Sequence, residues 1–212
     1  MNISCFKNAN GRPASFGTHP LSLADRFGTW LSCIAIYKDI AERNNLIVLE
    51  IGCGYSARNL LAIQKRAIKL VGVDFNLSEA VKMHPKFLCL ECPAEEAIEL
   101  LYGQKFDLIM LISVLEHLHN PVNILQSCRT LLNPKGILLI NVPTWLGKSF
   151  LEYAAFRLKL SPKEEMDDHK MYYDKRDLWP ILIKSGFLPS NIKMHYHKFH
   201  LNLFASISNR AL

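Results

Sequence analysis

The chain has 212 residues, half of them hydrophobic and 21% charged, which fits one globular domain with a full core and excludes a disordered or fibrous polymer. Its formal charge is +6, from 25 basic and 19 acidic side chains. That excess is spread along the chain, so it reads as solubility or mild steering of an anionic partner and argues against a nucleic-acid track.

The segment Met1 to Pro20 is polar and carries Gly and Pro, so residues 1–20 are expected to form a loose arm ahead of a single domain within 1–212. It lacks the basic, apolar and small-residue order of a secretion signal. Leu21 to Arg43 places Phe27, Trp30, Leu31, Ile34, Ile36, Tyr37 and Ile40 at helical spacing. Strand-like and helix-like segments then alternate. Strands are expected at Leu46–Ile51, Lys69–Asp74, Phe87–Cys92, Phe106–Ile112 and Gly136–Val142; helices at Ala57–Arg66, Leu77–Lys82, Ala94–Leu101 and Pro121–Leu132. Continuous apolar strands such as Leu108–Ile112 indicate burial on both faces, as in a parallel sheet. The apolar run around Leu108 to Leu115 is too short to span a bilayer. After Val142 the alternation breaks. Trp145 to Leu160 mixes Trp145, Phe150, Tyr153 and Phe156 with Lys148, Arg157 and Lys159, marking residues 144–174 as an insert or lid. Lys175–Ser185 is the last expected helix, stopped by Gly186, and Ile192–Lys198 and Leu201–Ile207 are two closing strands. The pattern predicts an α/β fold: a doubly wound, mostly parallel seven-stranded, Rossmann-like sheet with an antiparallel closing strand. The six cysteines (5, 33, 53, 89, 92 and 128) sit mostly in apolar runs and read as reduced core residues of a cytoplasmic protein. Cys89 and Cys92 form a lone C-x-x-C whose strand alternation places them on opposite faces, so no metal is expected there.

The most informative stretch is Val48-Leu-Glu-Ile-Gly-Cys-Gly-Tyr-Ser56, followed by a helical segment and then by Val71-Gly-Val-Asp74. Glycines between strand and helix let a ligand approach the backbone where a side chain would block it. A helix start offers N–H groups to a carboxylate or phosphate, and a carboxylate at the tip of the second strand can accept both hydroxyls of a ribose. This is the logic of a nucleoside-binding βαβ unit. The dinucleotide form Gly-x-Gly-x-x-Gly places its third glycine at Ala57, so a nicotinamide ligand stays open as an alternative.

Glu50, Gly52 and Gly54 resemble motif I of the class I S-adenosylmethionine-dependent methyltransferases, (Val/Leu)-Leu-(Asp/Glu)-Ile-Gly-x-Gly-x-Gly, with Ser56 in place of the third glycine, where it can cap the next helix. Phe106-Asp-Leu-Ile-Met-Leu-Ile-Ser-Val-Leu-Glu-His-Leu-His-Asn-Pro121 is similar to the strand-four motif of the small-molecule branch that includes quinone and polyketide O-methyltransferases. Leu131 to Pro143 resembles that branch's next motif, with Lys135 where glycine is common. The resemblance covers Leu46 to Ile207 and implies the cofactor S-adenosylmethionine. It implies that Glu50 orients the glycine loop or the methionine amine, that Gly52, Cys53 and Gly54 line the methionine portion, that Asp74 holds the ribose and that Phe75 packs near adenine. It further implies Ala94 and Glu95 near the adenine amine, and Ser113, Val114 and Leu115 facing the sulfonium.

Methyl transfer from a sulfonium needs position, a dry pocket and sometimes a base rather than a catalytic triad. His117, just past the fourth strand, is the candidate base; packing against the cofactor loop is the other reading. Glu116 reads as a solvated carboxylate or an orienting group. Trp145, His169, Tyr172 and Tyr173 are candidate acceptor-pocket residues, with core packing or a helix cap as the plainer reading. His195 and His197 share a strand face and are expected to meet solvent. The site lacks the proline and stacking aromatic of amino-group nucleic-acid methyltransferases. The expectation is methyl transfer to a small molecule, more readily at oxygen, with a glycan or lipid precursor and a membrane-surface patch left open by the aromatic–basic insert. A non-catalytic partner subunit that binds S-adenosylmethionine and an NAD(P)-dependent oxidoreductase are the alternatives.

Overall fold

A computed structural model of the chain describes residues 3–4, 17, 21–150 and 170–209. Among these residues, β1 (Ile3–Ser4), β2 (Leu46–Ile51), β3 (Ala67–Asp74), β4 (Phe87–Glu91), β5 (Phe106–Ile112), β6 (Leu132–Pro143), β7 (Ile192–His197) and β8 (Asn202–Ser208) form one sheet in the order β1-β4-β3-β2-β5-β6-β8-β7. All pairs from β1 to β6 are parallel, and β8 runs antiparallel to both of its neighbours. The seven expected strands all form. The eighth is a two-residue edge that pairs Ile3 with Leu90 and Ser4 with Glu91, inside the stretch read as a loose arm.

Alternation along each strand divides the core between the two faces. On β2, Leu49 and Ile51 join one cluster and Val48 joins the other; Val71 and Val73 on β3 lie with the first and Leu70 with the second. The first layer is covered by α4 (Ala94–Leu100), α5 (Pro121–Leu131) and α6 (Lys175–Lys184), which bury Ala97, Leu125, Cys128 and Leu182. The second is covered by α1 (Leu23–Asp39), α2 (Arg58–Ile63) and α3 (Glu79–Lys82), which bury Ile36, Leu60 and Val81. Cys89 and Cys92 fall in opposite layers. Such double burial explains why the central strands read as unbroken apolar runs.

The helix ends follow local chemistry. Ser22 caps α1, its hydroxyl accepting the Asp25 N–H at 3.1 Å, and Asn120 caps α5 from the position before Pro121. Gly186 stops α6 at φ +87°. One expectation fails: Ser56 does not cap α2. The residue before that helix is Ala57, left-handed at φ +44° and without a side-chain cap, and the helix passes after Ile63 into a 3₁₀ turn. Residues 145–150 are helical; the remainder of the insert to Leu160 lies outside the described residues.

The parallel register sets the site. Glu50 lies opposite Gly72 on one side and Met110 on the other, Asp74 opposite Glu91, and Ile112 opposite Asn141. The carboxyl ends of β2 to β6 therefore open onto one edge, where doubly wound folds place their ligands.

Candidate active site

The turn after β2 is tied to β3. Gly52 N–H and Cys53 N–H both donate to the Val73 carbonyl, at 2.8 and 3.1 Å. Gly54 N–H donates to Asp74 Oδ2 at 2.7 Å, and Phe75 N–H donates to Asp74 Oδ1 at 2.8 Å. The Asp74 carboxylate is thus fixed at the strand tip by main-chain N–H groups on both oxygens. Gly52 and Gly54 adopt φ of +72° and +73°. At Gly52 the need is also steric, since a Cβ there would lie 2.3 Å from Val114 Cγ2.

Glu50 lies under this turn, fully buried. Its Oε1 accepts from Asn59 Nδ2 at 2.7 Å, whereas Oε2 has no partner among the described residues. Burial pushes its carboxyl up to about 8; the Asn59 hydrogen bond opposes this and the nearby Asp74 charge adds to it. Burial likewise raises the Cys53 thiol, with the charges of Glu50 and Asp74 acting in the same direction.

The loop after β5 forms the opposite wall. Ser113 is left-handed at φ +56°, and its N–H donates to the Asn141 carbonyl at 2.8 Å, which turns Val114 toward Gly52. Leu115–His117 form a 3₁₀ turn held by two residues: Lys170 N–H donates to the Glu116 carbonyl at 2.8 Å, Lys170 Nζ to the His117 carbonyl at 2.6 Å and Tyr173 OH to the Leu115 carbonyl at 3.4 Å. Leu115 belongs to the core. His117 is half-buried, while Glu116, read from sequence as solvated, is only 1% exposed. Glu116 Oε2 has no partner among the described residues, and burial pushes this carboxyl too up to about 8.

A third wall was not anticipated. Between β7 and β8, Lys198, Phe199 and His200 are all left-handed, at φ +48°, +58° and +68°. This turn is docked on the end of β6: Thr144 N–H donates to the Leu201 carbonyl at 3.0 Å, and Thr144 Oγ1 donates to the His200 carbonyl at 2.8 Å. The docking sends Lys198 inward, where its Nζ sits 3.8 Å from the Cβ position of Gly28 on α1. Burial lowers the Lys198 amine to about 8, partly offset by the negative charge of Glu116, then of Cys33 and Asp25. Cys33 on α1 faces Asn59, with Sγ 3.6 Å from Asn59 Oδ1, and feels both Glu50 and Lys198. Charge effects thus link Asp74 to Glu50, Glu50 and Lys198 to Cys33, and Lys198 to Glu116.

The remaining sequence-predicted residues lie around this line. Phe75 is 43% exposed beside Asp74. Ala94 is half-buried and Glu95 exposed at the start of α4. The neighbouring acid Glu91 is engaged, accepting from Leu77 N–H at 2.8 Å and Lys82 Nζ at 3.0 Å. Trp145 donates from Nε1 to Asp177 at 3.1 Å and packs its ring on Tyr172 at 5.7 Å. Tyr172 and Tyr173 are buried, and Tyr173 supports the Leu115 turn from the core side. His169 lies outside the described residues. His195 is exposed, but His197 is half-buried and its Nε2 is enclosed without a partner among the described residues, so only the first meets solvent as expected. Among the described residues, no group of three or more His, Cys, Asp or Glu side chains is placed to hold a metal ion, and no helix is long and apolar enough to cross a membrane.

A glycine-turned strand end and an anchored carboxylate on the next strand, at the carboxyl edge of a parallel sheet, define a nucleoside-site α/β protein. Residues 25–188 match the family described as a methyltransferase domain, and the chain belongs to that family. It is 31% identical over 144 residues to the ubiquinone biosynthesis O-methyltransferase of Histophilus somni (strain 2336), covering 60% of this chain and 57% of that one. The chain spans little more than half the length of such curated relatives. Among solved structures it resembles the magnesium protoporphyrin IX methyltransferase of Synechocystis PCC 6803 with bound SAH, at TM-score 0.62 and 16% identity, covering 92% of this chain and 91% of that one. It also resembles the plantazolicin methyltransferase BpumL in complex with SAH, at TM-score 0.65 and 16% identity, covering 87% and 85%.

Proposed function

We propose that the chain transfers a methyl group from S-adenosylmethionine to a hydroxyl oxygen of a small molecule. The observation that carries this reading is the pair of carboxyl groups at the glycine turn: Asp74, anchored by two main-chain N–H groups, and Glu50, buried with one oxygen unsatisfied. An adenosyl amino acid matches both. A carboxylate at the tip of the second strand, as Asp74 is, can accept from ribose hydroxyls. The ligand's ammonium group supplies the donor and positive charge that the Glu50 oxygen lacks, which favours ionisation of that carboxyl. Phe75 offers a half-exposed ring to the base, and Ala94 and Glu95 stand at the next strand end. When bound, S-adenosylmethionine supplies an electrophilic methyl group on a sulfonium; the protein holds the reacting atoms in line and keeps water out. Ser113, Val114 and Leu115 form the wall beside the reacting centre. The naming of relatives as O-methyltransferases supports oxygen as the acceptor atom. Exposed Phe27, Trp30, Trp145, Phe150 and Phe199 support an acceptor with an apolar body, such as a lipid precursor.

Calorimetric titration with S-adenosylmethionine is the direct test. The chain is expected to bind it, and Asp74→Ala to weaken binding by about 1–3 kcal/mol through loss of charged hydrogen bonds. Failure of the chain to bind the cofactor, or equal affinity in the variant, overturns the assignment.

A further inference from the structure

At the amino end of β6, on the edge of the sheet away from the glycine turn, lies a cavity of about 240 Å³. Arg129 from the last turn of α5, Ser208 and Asn209 at the end of β8, and the apolar Pro134, Phe187 and Leu188 line it, and no acidic side chain does. The frame is tied together by Asn209. Its N–H donates to the Gly136 carbonyl at 2.8 Å, and its Nδ2 donates to the Leu132 and Asn133 carbonyls at 3.3 and 3.2 Å, which joins the end of β8 to the start of β6.

Arg129 is held over Gly186, where a Cβ would lie 2.9 Å from Nη1 and 3.4 Å from Cζ. A cation at such a place commonly caps the helix that ends there. Here that work is done by other groups. The last four carbonyls of α6 accept as follows: Ile181 from Ser185 N–H at 3.0 Å, Leu182 from Phe187 N–H at 3.2 Å, Ile183 from Gly186 N–H at 2.9 Å and Lys184 from Gln126 Nε2 at 3.4 Å. Three and four residues either side of Arg129 stand Leu125, Gln126, Leu132 and Asn133, so no acid is within helical reach. Among the described residues, neither the Arg129 guanidinium nor the Ser208 hydroxyl has a hydrogen-bond or ion-pair partner.

We propose that this cavity is a second ligand site, apart from the transfer site, for a small organic carboxylate with an apolar body. The planar guanidinium presents parallel N–H donors that a carboxylate matches with both oxygens. The Ser208 hydroxyl adds a donor, and Pro134, Phe187 and Leu188 take the apolar remainder. Drug-sized pockets begin at roughly 300 Å³, so this smaller space suits a single ring or a short chain. A ligand here touches α5, β6, β8 and the turn after α6, so it stabilises the folded chain without entering the reaction.

The site does not rest on the methyltransferase reading. Benzoate is the probe and benzamide its uncharged counterpart, each titrated into the full chain while the amide NMR resonances are followed. Saturable shifts are expected at Gly186, Leu188 and Asn209, with benzoate about tenfold or more tighter than benzamide. Arg129→Met should weaken benzoate about tenfold or more, and Arg129→Lys, which keeps the charge and loses the fork, should recover only part. Arg129 is exposed, so both variants are expected to fold, which their remaining resonances verify. Saturating S-adenosylhomocysteine should leave the benzoate affinity unchanged. Shifts that do not saturate, equal binding of benzamide, or an affinity that survives Arg129→Met overturns the site. Competition by S-adenosylhomocysteine overturns it too, because benzoate then occupies the transfer site. Inorganic phosphate that binds more tightly than benzoate overturns the carboxylate class.

Discussion

Replacement of Gly52 by alanine tests the claim that the turn after β2 is shaped by its contact with the β5 loop. Two costs are separable. The backbone is left-handed at φ +72°, where a Cβ crowds the following carbonyl at roughly 1–2 kcal/mol. The added methyl also falls 2.3 Å from Val114 Cγ2, more than an ångström inside contact. Val114 cannot yield cheaply. It is only 9% exposed, it is branched at Cβ, and the residue before it is fixed by the Ser113–Asn141 hydrogen bond. Overpacking of this kind costs about 1–3 kcal/mol. The total expected for Gly52→Ala is about 2–5 kcal/mol, measured by urea unfolding of the ligand-free protein. Val114→Ala alone should cost about 1–2 kcal/mol from lost burial. The double variant should be more stable than the sum of the singles by about 1–3 kcal/mol, because the steric part vanishes and only the backbone part remains. Strict additivity, or a Gly52→Ala effect under about 0.5 kcal/mol, refutes the reasoning.

Two further consequences concern the buried acids and the β7–β8 turn. Glu50 and Glu116 are both held up to about 8 by burial, against about 4.3 in an unfolded chain, so their contribution to stability is fully present below about pH 4 and is lost as pH rises to about 8. Each tenfold change in proton affinity is worth about 1.4 kcal/mol, so the ligand-free protein should weaken by up to several kcal/mol across that window. Glu50→Gln should flatten part of the slope; urea midpoints that do not change between acid and alkaline buffer contradict it. At Gly147, an alanine Cβ would lie 2.2 Å from the Leu201 carbonyl oxygen. Gly147→Ala should therefore loosen the Thr144–Leu201 hydrogen bond and cost about 1–3 kcal/mol, seen as faster hydrogen exchange at the Thr144 amide.

The sheet was legible in the sequence because its strands are buried on both faces and punctuated by turn residues, a pattern that survives without knowledge of contacts. The cofactor side was legible for a related reason: Glu50, Gly52, Gly54 and Asp74 act within one local βαβ unit. Local signals misled where packing decides. Ser56 has the composition of a helix cap, yet Ala57 takes the left-handed position before α2. Ile3 and Ser4 add to an open sheet edge that nothing in their own residues announces. Glu116 was read as solvated because a carboxylate after a strand usually is; the Lys170 and Tyr173 contacts that accompany its burial come from more than fifty residues away. A clue was present in its flanks, since Leu115 and Leu118 leave a short turn little room to expose all its side chains.

Lys198 illustrates the limit most clearly. In sequence it closes a strand rich in histidine and lysine, and nothing distinguishes it from Lys193 five positions earlier. Its inward placement depends on three successive left-handed residues, none of them glycine, a conformation that local propensity disfavours and docking onto Thr144 holds. The left-handed turn and the two buried acids lie at the same edge of the sheet. Burial of Glu50 and Glu116 costs the empty protein stability near neutral pH, and it leaves each acid with one oxygen free for a donor that the described chain does not supply. A fold that needed those carboxyls only for packing is served as well by glutamine. The pH dependence of Glu50→Gln therefore asks whether an acid is retained there for what binds to it.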